Sequence, residues 1–227
     1  MNMKTIPLTS YNIFEFECDD ELTNKILADI KNQQIFWQST GPNDDEYNYS
    51  GYLGPNDALI PYYHPELFNW FDDCLKTISN NHFDNIKLTI CDSWLTKSNL
   101  GQHANAHTHS ASIYSGLFYL STHNTAETIF DYKDVAIKNL LSNVGSHIKV
   151  NTFVSKSEKN KLIIFPSDLS HRVNINKDVR QTRHTLAFNT FYDGIISSMK
   201  TAILDIKVNS VKDRYEAYIN KKNNETM

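Results

Sequence analysis

Between Ile13 and Cys18 apolar and acidic residues alternate, Ile-Phe-Glu-Phe-Glu-Cys, the period of a half-buried strand. Asp19 and Asp20 then precede Glu21 to Asn32. There Leu22, Ile26, Leu27 and Ile30 recur at helical spacing and acids occupy the first turn, so a helix is expected. Gln33 to Tyr63 keeps no period and is punctuated by Gly41-Pro42-Asn43-Asp44-Asp45 and Gly54-Pro55-Asn56. A long polar loop is expected, either simply solvated or serving as a lid or recognition flap. Pro65 to Ser79 returns to the helical period, with Leu67, Phe68, Phe71, Leu75 and Ile78 on one face and Pro65 suited to the first turn.

From Asn85 the period drops to two. Ile86, Leu88 and Ile90 alternate with Lys87 and Thr89, and the pattern runs on to Trp94. Further strands are expected at Ile113–Leu120, Glu127–Tyr132, Ser146–Phe153, Lys161–Phe165, His171–Ile175 and Thr182–Phe191. The tail from Asp193 is less patterned, with a terminal helix expected over Val211–Lys222 and a frayed end after it. The expected fold is mainly β with flanking helices, in one domain. Residues 1–84 form helical support and a loop, 85–192 the β core, and 193–227 a C-terminal extension.

Composition narrows the function classes. With 40% hydrophobic and 21% charged residues, the chain is neither disordered nor a membrane bundle. The 22 basic and 26 acidic residues leave a formal charge of −4, against sequence-independent nucleic-acid binding, which needs a basic face. Seven glycines and six prolines exclude fibrous repeats. Cys18, Cys74 and Cys91 are sparse, odd in number and without CxxC spacing, so reduced thiols and a cytoplasmic location are expected. Neither a secretory signal nor a membrane span is expected, since no window approaches roughly 20 apolar residues.

The candidate chemistry lies in the histidines. On a strand, His107 and His109 would point to the same face about 6.6 Å apart, where one metal ion could take a lone pair from each. A His-x-His pair standing alone reads first as two solvated imidazoles. What moves the reading is His171, which follows the apolar run Leu162-Ile163-Ile164-Phe165 and a turn through Pro166-Ser167, and can approach from a neighbouring strand. Arg183 comes next, with Thr185 on the same face of the final core strand and Leu186 and Phe188 on the other. If that face turns inward, a buried guanidinium calls for an anion, and a carboxylate-bearing ligand supplies it bidentately. If it turns outward, Arg183 is merely solvated.

Taken together, Trp94, Gln102 to His109, Tyr114 to Leu120, Leu162 to Ser167 with His171, and Arg183 to Asn189 resemble the iron(II)- and 2-oxoglutarate-dependent oxygenases, with the nearest likeness to an uncharacterised group found in marine bacteria and their phages. The resemblance implies a double-stranded β-helix, a cupin-like jelly roll. It implies Fe(II) held by His107 and His171, and 2-oxoglutarate as co-substrate held by Arg183 and Thr185; His109 is either the third ligand or a residue beside the site, with a water or an acid completing it. Tyr114 and Tyr119 are candidates for its pocket, and Trp94, His103 and Asn105 for supporting positions. The implied reaction is hydroxylation of a small-molecule or peptide substrate; neither nucleic acid nor membrane is expected as partner, and the sequence leaves the assembly open between monomer and homodimer.

Two positions depart from the pattern. The wider superfamily carries an acid where His109 stands, although an all-imidazole site also suits iron. It also carries Gly in the turn before Leu162, where Asn160 or its neighbour must adopt the left-handed conformation that Asn tolerates. Two other classes remain open. A cupin-type metalloenzyme matches Gly101 and His107-x-His109, but it lacks the following Glu, Ile113 and Tyr114 standing there, and it leaves Arg183 without a task. A non-enzymatic jelly-roll binding module would make the histidines incidental.

Overall fold

The computed structural model describes residues 11–32, 35–42, 46–52, 64–82, 86–132, 151–198 and 202–206. Strand β1 (Phe14–Glu17) leads into helix α1 (Asp20–Asn32), whose N-terminus is capped by the Asp19 carboxylate accepting from Glu21 N–H at 2.7 Å. Then come β2 (Phe36–Ser39), β3 (Tyr49–Tyr52), α2 (Pro65–His82), β4 (Leu88–Ser98) and β5 (Ala104–His107). The remaining strands are β6 (Tyr114–Tyr119), β7 (His123–Tyr132), β8 (Asn151–Ser157), β9 (Lys161–Pro166), β10 (Ser170–Val173), β11 (Arg183–Tyr192), β12 (Gly194–Ser198) and β13 (Ala202–Ile206).

All named strand pairs are antiparallel. A seven-stranded sheet runs β1-β9-β6-β11-β4-β3-β2, and a four-stranded sheet runs β5-β10-β7-β8. This is the mainly β jelly-roll arrangement expected from the chain. The large sheet is buried on both faces, which explains the unbroken apolar runs of β9 and β11. One face, with Phe118, Leu162, Ile164, Leu186 and Phe188, packs on the helices through Ile26, Leu67, Phe71, Leu75 and Ile78. The other, with Leu117, Tyr119, Ile163, Phe165 and Ala187, meets Phe130 of the small sheet. Cys18 and Cys74 belong to the helix-side core as free thiols, and burial pushes Cys74 up to about 12, so it is an inert packing residue.

Four expectations change. Gln33–Tyr63 is not all loop: β2 and β3 form a hairpin that extends the large sheet. Its docking is tertiary, since the Lys97 ammonium on β4 lies 4.3 Å from the Trp37 ring centroid and 4.9 Å from that of Tyr49. β4 continues past Trp94 to Ser98 because β11 pairs with it along its whole length. β8 runs on to Ser157, and the β12–β13 hairpin forms where the chain shows little pattern. The helix expected at Val211–Lys222 lies outside the described residues. Asn160 adopts φ 73°, so the turn before β9 is left-handed without glycine. Among the described residues no helix is long and apolar enough to cross a membrane.

Gly116 on β6 sits opposite Phe188 on β11, and a Cβ there would lie 2.1 Å from the Phe188 ring. Gly116→Val is therefore expected to cost roughly 1–3 kcal/mol through overpacking. The check is the urea midpoint, which should fall with the slope unchanged.

Candidate active site

The described strands bring the histidines together through backbone ladders. His107 ends β5 and pairs in register with His171 on β10. His109 does not continue the strand, which corrects the period-two placement. The chain turns after His107, and His109 N–H donates to Ser167 O at 2.9 Å, in the turn linking β9 to β10. Both halves of the His-x-His pair are thus fastened to the segment that carries His171. The ring centroids of His107 and His171 lie 4.3 Å apart, those of His109 and His171 5.0 Å, and those of His107 and His109 5.3 Å. One nitrogen of each ring falls within 4.8 Å of the other two.

Each imidazole also has its tautomer set. His107 Nδ1 lies 2.8 Å from Asn105 O, and His171 Nδ1 lies 3.0 Å from Leu169 O. His109 Nδ1 lies 2.6 Å from Asn189 Oδ1 and 2.9 Å from Ser115 Oγ. Carbonyl oxygens only accept, so Nδ1 carries the proton and Nε2 keeps its lone pair, the state a metal ligand needs. Burial pushes His171 down to about 3, the neighbouring His107 adding to the effect, and burial also lowers His109. Both rings are neutral near pH 7, so a metal has no proton to displace from them. The donor set fits a divalent ion that accepts imidazole, and iron(II) is one.

Behind His109, Ser115 Oγ donates to Asn189 Oδ1 at 2.9 Å and lies 2.8 Å from Ser167 Oγ, which is itself 2.7 Å from Ser112 Oγ. Trp94 packs its ring 5.6 Å from that of His109. Asn105 supports His107 through its backbone carbonyl. His103 lies against the ring of Tyr47, with centroids 5.0 Å apart.

Arg183 opens β11 and is 1% exposed, so its face turns inward. Its Nε donates to Ser157 Oγ and its Nη2 to Thr128 Oγ1, each at 3.1 Å. The guanidinium carbon lies 5.4 Å from the Tyr119 ring centroid, and the Tyr119 hydroxyl donates to Thr128 Oγ1 at 2.9 Å. Among the described residues no carboxylate pairs with Arg183. Burial lowers its pKa, but guanidinium stays charged near neutrality. Thr185, fully buried on the same face, hydrogen-bonds to Thr96 Oγ1.

Tyr114 is placed elsewhere than expected. Being five residues before Tyr119 on β6, it faces the other side of the sheet and packs on the helix-side core, its ring 6.1 Å from that of Phe14. Thr128, Ser157, Ser115 and Asn189 are the contacting residues that sequence reasoning missed. The alternation of β7 and β11 marked their faces, but hydroxyls and amides on strands are too common to single out.

One cavity of about 510 Å³ is lined by His107, His109 and His171, by Trp94 and by Arg183. That size suits a small molecule or the end of a larger one. The cavity holds three imidazoles in one part and, in another, a guanidinium with no carboxylate partner among the described residues.

Residues 92–189 match the model of a family described as "Putative 2OG-Fe(II) oxygenase". No curated protein sequence matches the chain. Among solved structures, an oxidoreductase of the 2OG-Fe(II) oxygenase family from Burkholderia pseudomallei is similar at TM-score 0.58 and 11% identity, covering 78% of this chain and 84% of that one. A prolyl-4-hydroxylase from Pseudomonas putida is similar at 0.55 and 10%, covering 82% and 95%. HygX from Streptomyces hygroscopicus, with nickel and 2-oxoglutarate bound, is similar at 0.55 and 9%, covering 88% and 94%. At these identities the likeness is one of fold. Residues 92–189, which carry the three histidines and Arg183, are thus similar to the putative 2OG-Fe(II) oxygenase family, and the chain has the fold of solved 2OG-Fe(II) oxygenases.

Proposed function

We propose that the protein is a 2-oxoglutarate-dependent dioxygenase that hydroxylates a small-molecule or peptide substrate. His107, His109 and His171 hold the iron through Nε2. Arg183, with Thr185 and the Tyr119–Thr128–Ser157 group around it, holds the distal carboxylate of 2-oxoglutarate. The observation that carries this reading is the pairing, in one cavity, of a three-imidazole cluster with a buried guanidinium that has no carboxylate partner among the described residues.

The bound iron supplies activation of dioxygen, and the balance is R–H + O₂ + 2-oxoglutarate → R–OH + succinate + CO₂. The chain's own contribution is positional. His107, His109 and His171 would hold the metal through their Nε2 atoms. Arg183 draws one carboxylate of the co-substrate to the far end and so fixes which end reaches the metal. The apolar interior of Leu117, Phe165 and Ala187 keeps water from the reacting centre. The order and content of the blocks from Trp94 to Asn189 support grouping the chain with the marine bacterial and phage branch of this family. Its three cysteines, none of them in a disulfide, fit a cytoplasmic location.

Three outcomes test the assignments. Arg183→Met is expected to weaken 2-oxoglutarate binding about 100-fold, from roughly 3 kcal/mol of lost charge-assisted bonding, while metal stays bound. The same change should raise the urea midpoint of the metal-free protein, because a buried unpaired charge disappears. His171→Ala should leave no metal after dialysis, measured by elemental analysis. Asn189→Leu should weaken metal binding by about 10–100-fold, since His109 loses the acceptor that sets its ring. Calorimetric titration with iron(II) under anaerobic conditions reads that loss directly, and an affinity equal to wild type would remove Asn189 from the site.

A further inference from the structure

The Arg183 part of the cavity is walled by three strands, one of which belongs to the N-terminal hairpin. Between β4 and β11, Ser98 stands opposite Arg183 and Thr96 opposite Thr185. Between β3 and β4, Ser50 stands opposite Thr96, and one step beyond the last Tyr49–Lys97 pair the same register sets Asn48 beside Ser98. Asn48, Ser50, Thr96 and Arg183 all line the cavity, so they share the inward face of the sheet. Asn48 and Arg183 are two strands apart, about 9.6 Å at roughly 4.8 Å per strand. Ser98 between them is short enough for both longer side chains to reach over it.

Asn48 has both backbone groups engaged and its side-chain oxygen unpartnered. Its N–H donates to His103 O at 2.9 Å, and its carbonyl accepts from Thr40 N–H and from the Thr40 hydroxyl, each at 2.9 Å. The first of these bonds ties the residue to the segment that leads into β5 and His107. The side chain is 4% exposed, and its buried Oδ1 has no hydrogen-bond partner among the described residues. Ser98 Oγ, on the same rung, is buried and unpartnered in the same way. Unmade hydrogen bonds inside a protein are costly, so a rung holding an amide, a hydroxyl and a guanidinium lacks a partner. All three groups carry N–H or O–H donors, and a carboxylate, which only accepts, is complementary to them together.

We propose that Asn48, on the N-terminal hairpin and outside the family-matched residues 92–189, binds the co-substrate: its amide N–H donates to the carboxylate that Arg183 holds. The proposal rests on the oxygenase reading above and adds the hairpin to the co-substrate pocket. The carboxylate lies between the two side chains, taking charge-assisted bonds from Arg183 and a neutral one from Asn48. The hairpin thereby favours a 2-oxo acid that carries a second carboxylate over one that does not.

Asn48→Asp tests this by giving Arg183 a carboxylate from the protein itself. The urea midpoint of the metal-free variant should rise with the slope unchanged, because the buried guanidinium gains an ionic partner. 2-Oxoglutarate, titrated calorimetrically into iron(II)-loaded protein under anaerobic conditions, should bind at least about 100-fold more weakly than to wild type, since the anion meets a like charge. Asn48→Leu, which keeps the shape and removes the donor, should bind it about tenfold more weakly. Iron(II) affinity, measured the same way, should stay at the wild-type value in both variants. A midpoint at or below wild type in Asn48→Asp, 2-oxoglutarate affinity within about twofold of wild type in either variant, or a parallel loss of iron(II) would each overturn the proposal. Absence of 2-oxoglutarate binding by the iron-loaded wild-type protein would instead overturn the oxygenase reading, and the midpoint would still report whether residue 48 faces Arg183.

Discussion

A guanidinium buried inside a β-sandwich, hydrogen-bonded to two hydroxyls and, among the described residues, to no carboxylate, is a cost that the fold must absorb. Ser157 and Thr128 satisfy two of its five N–H groups, and the Tyr119 ring faces the cation. These contacts solvate the charge without neutralising it. Folding energy from the two apolar layers of the large sheet holds it there. Under the proposed reading, an anionic ligand completes the pairing.

The metal-binding half solves a different problem, which is orientation. Imidazoles have no opposite charges with which to attract one another, so nothing in their chemistry gathers them. The β5–β10 ladder brings His107 opposite His171, and a backbone bond to Ser167 brings His109 to the same turn. Acceptors on every Nδ1 then leave every Nε2 lone pair available. Two of those acceptors are backbone carbonyls, which no substitution removes. The third is the Asn189 side chain, tied into hydroxyls from Ser112, Ser115 and Ser167. The site is therefore stiff at His107 and His171 and adjustable at His109, the position where an acid stands in the wider superfamily.

Between these halves lies the N-terminal hairpin. It joins the large sheet through β3, which pairs with β4, and brings Tyr47 and Asn48 to the cavity lining. Its anchor is a lysine between two aromatic rings, a contact with no local sequence signature. This is why the segment reads as a loop: its strands are made by the edge they join and not by their own alternation.

Much of the architecture is legible in the chain itself. The switch from helical to two-residue period at about Asn85, the apolar runs of β9 and β11, and the left-handed Asn160 follow from local chemistry, and the β-rich architecture follows from them. His107, His109, His171 and Arg183 could be named because histidine and arginine are costly to place at random on apolar strands. The direction in which each side chain points required tertiary structure. Tyr114 and Tyr119 share a strand and a residue type, and only sheet parity separates a core packer from the partner of Arg183. The Nδ1 acceptors of the histidines and the hydroxyls around Arg183 arise from pairings as distant as Asn189 with His109. A linear pattern records the period of a strand, whereas the register between strands is settled by which apolar faces must be buried together.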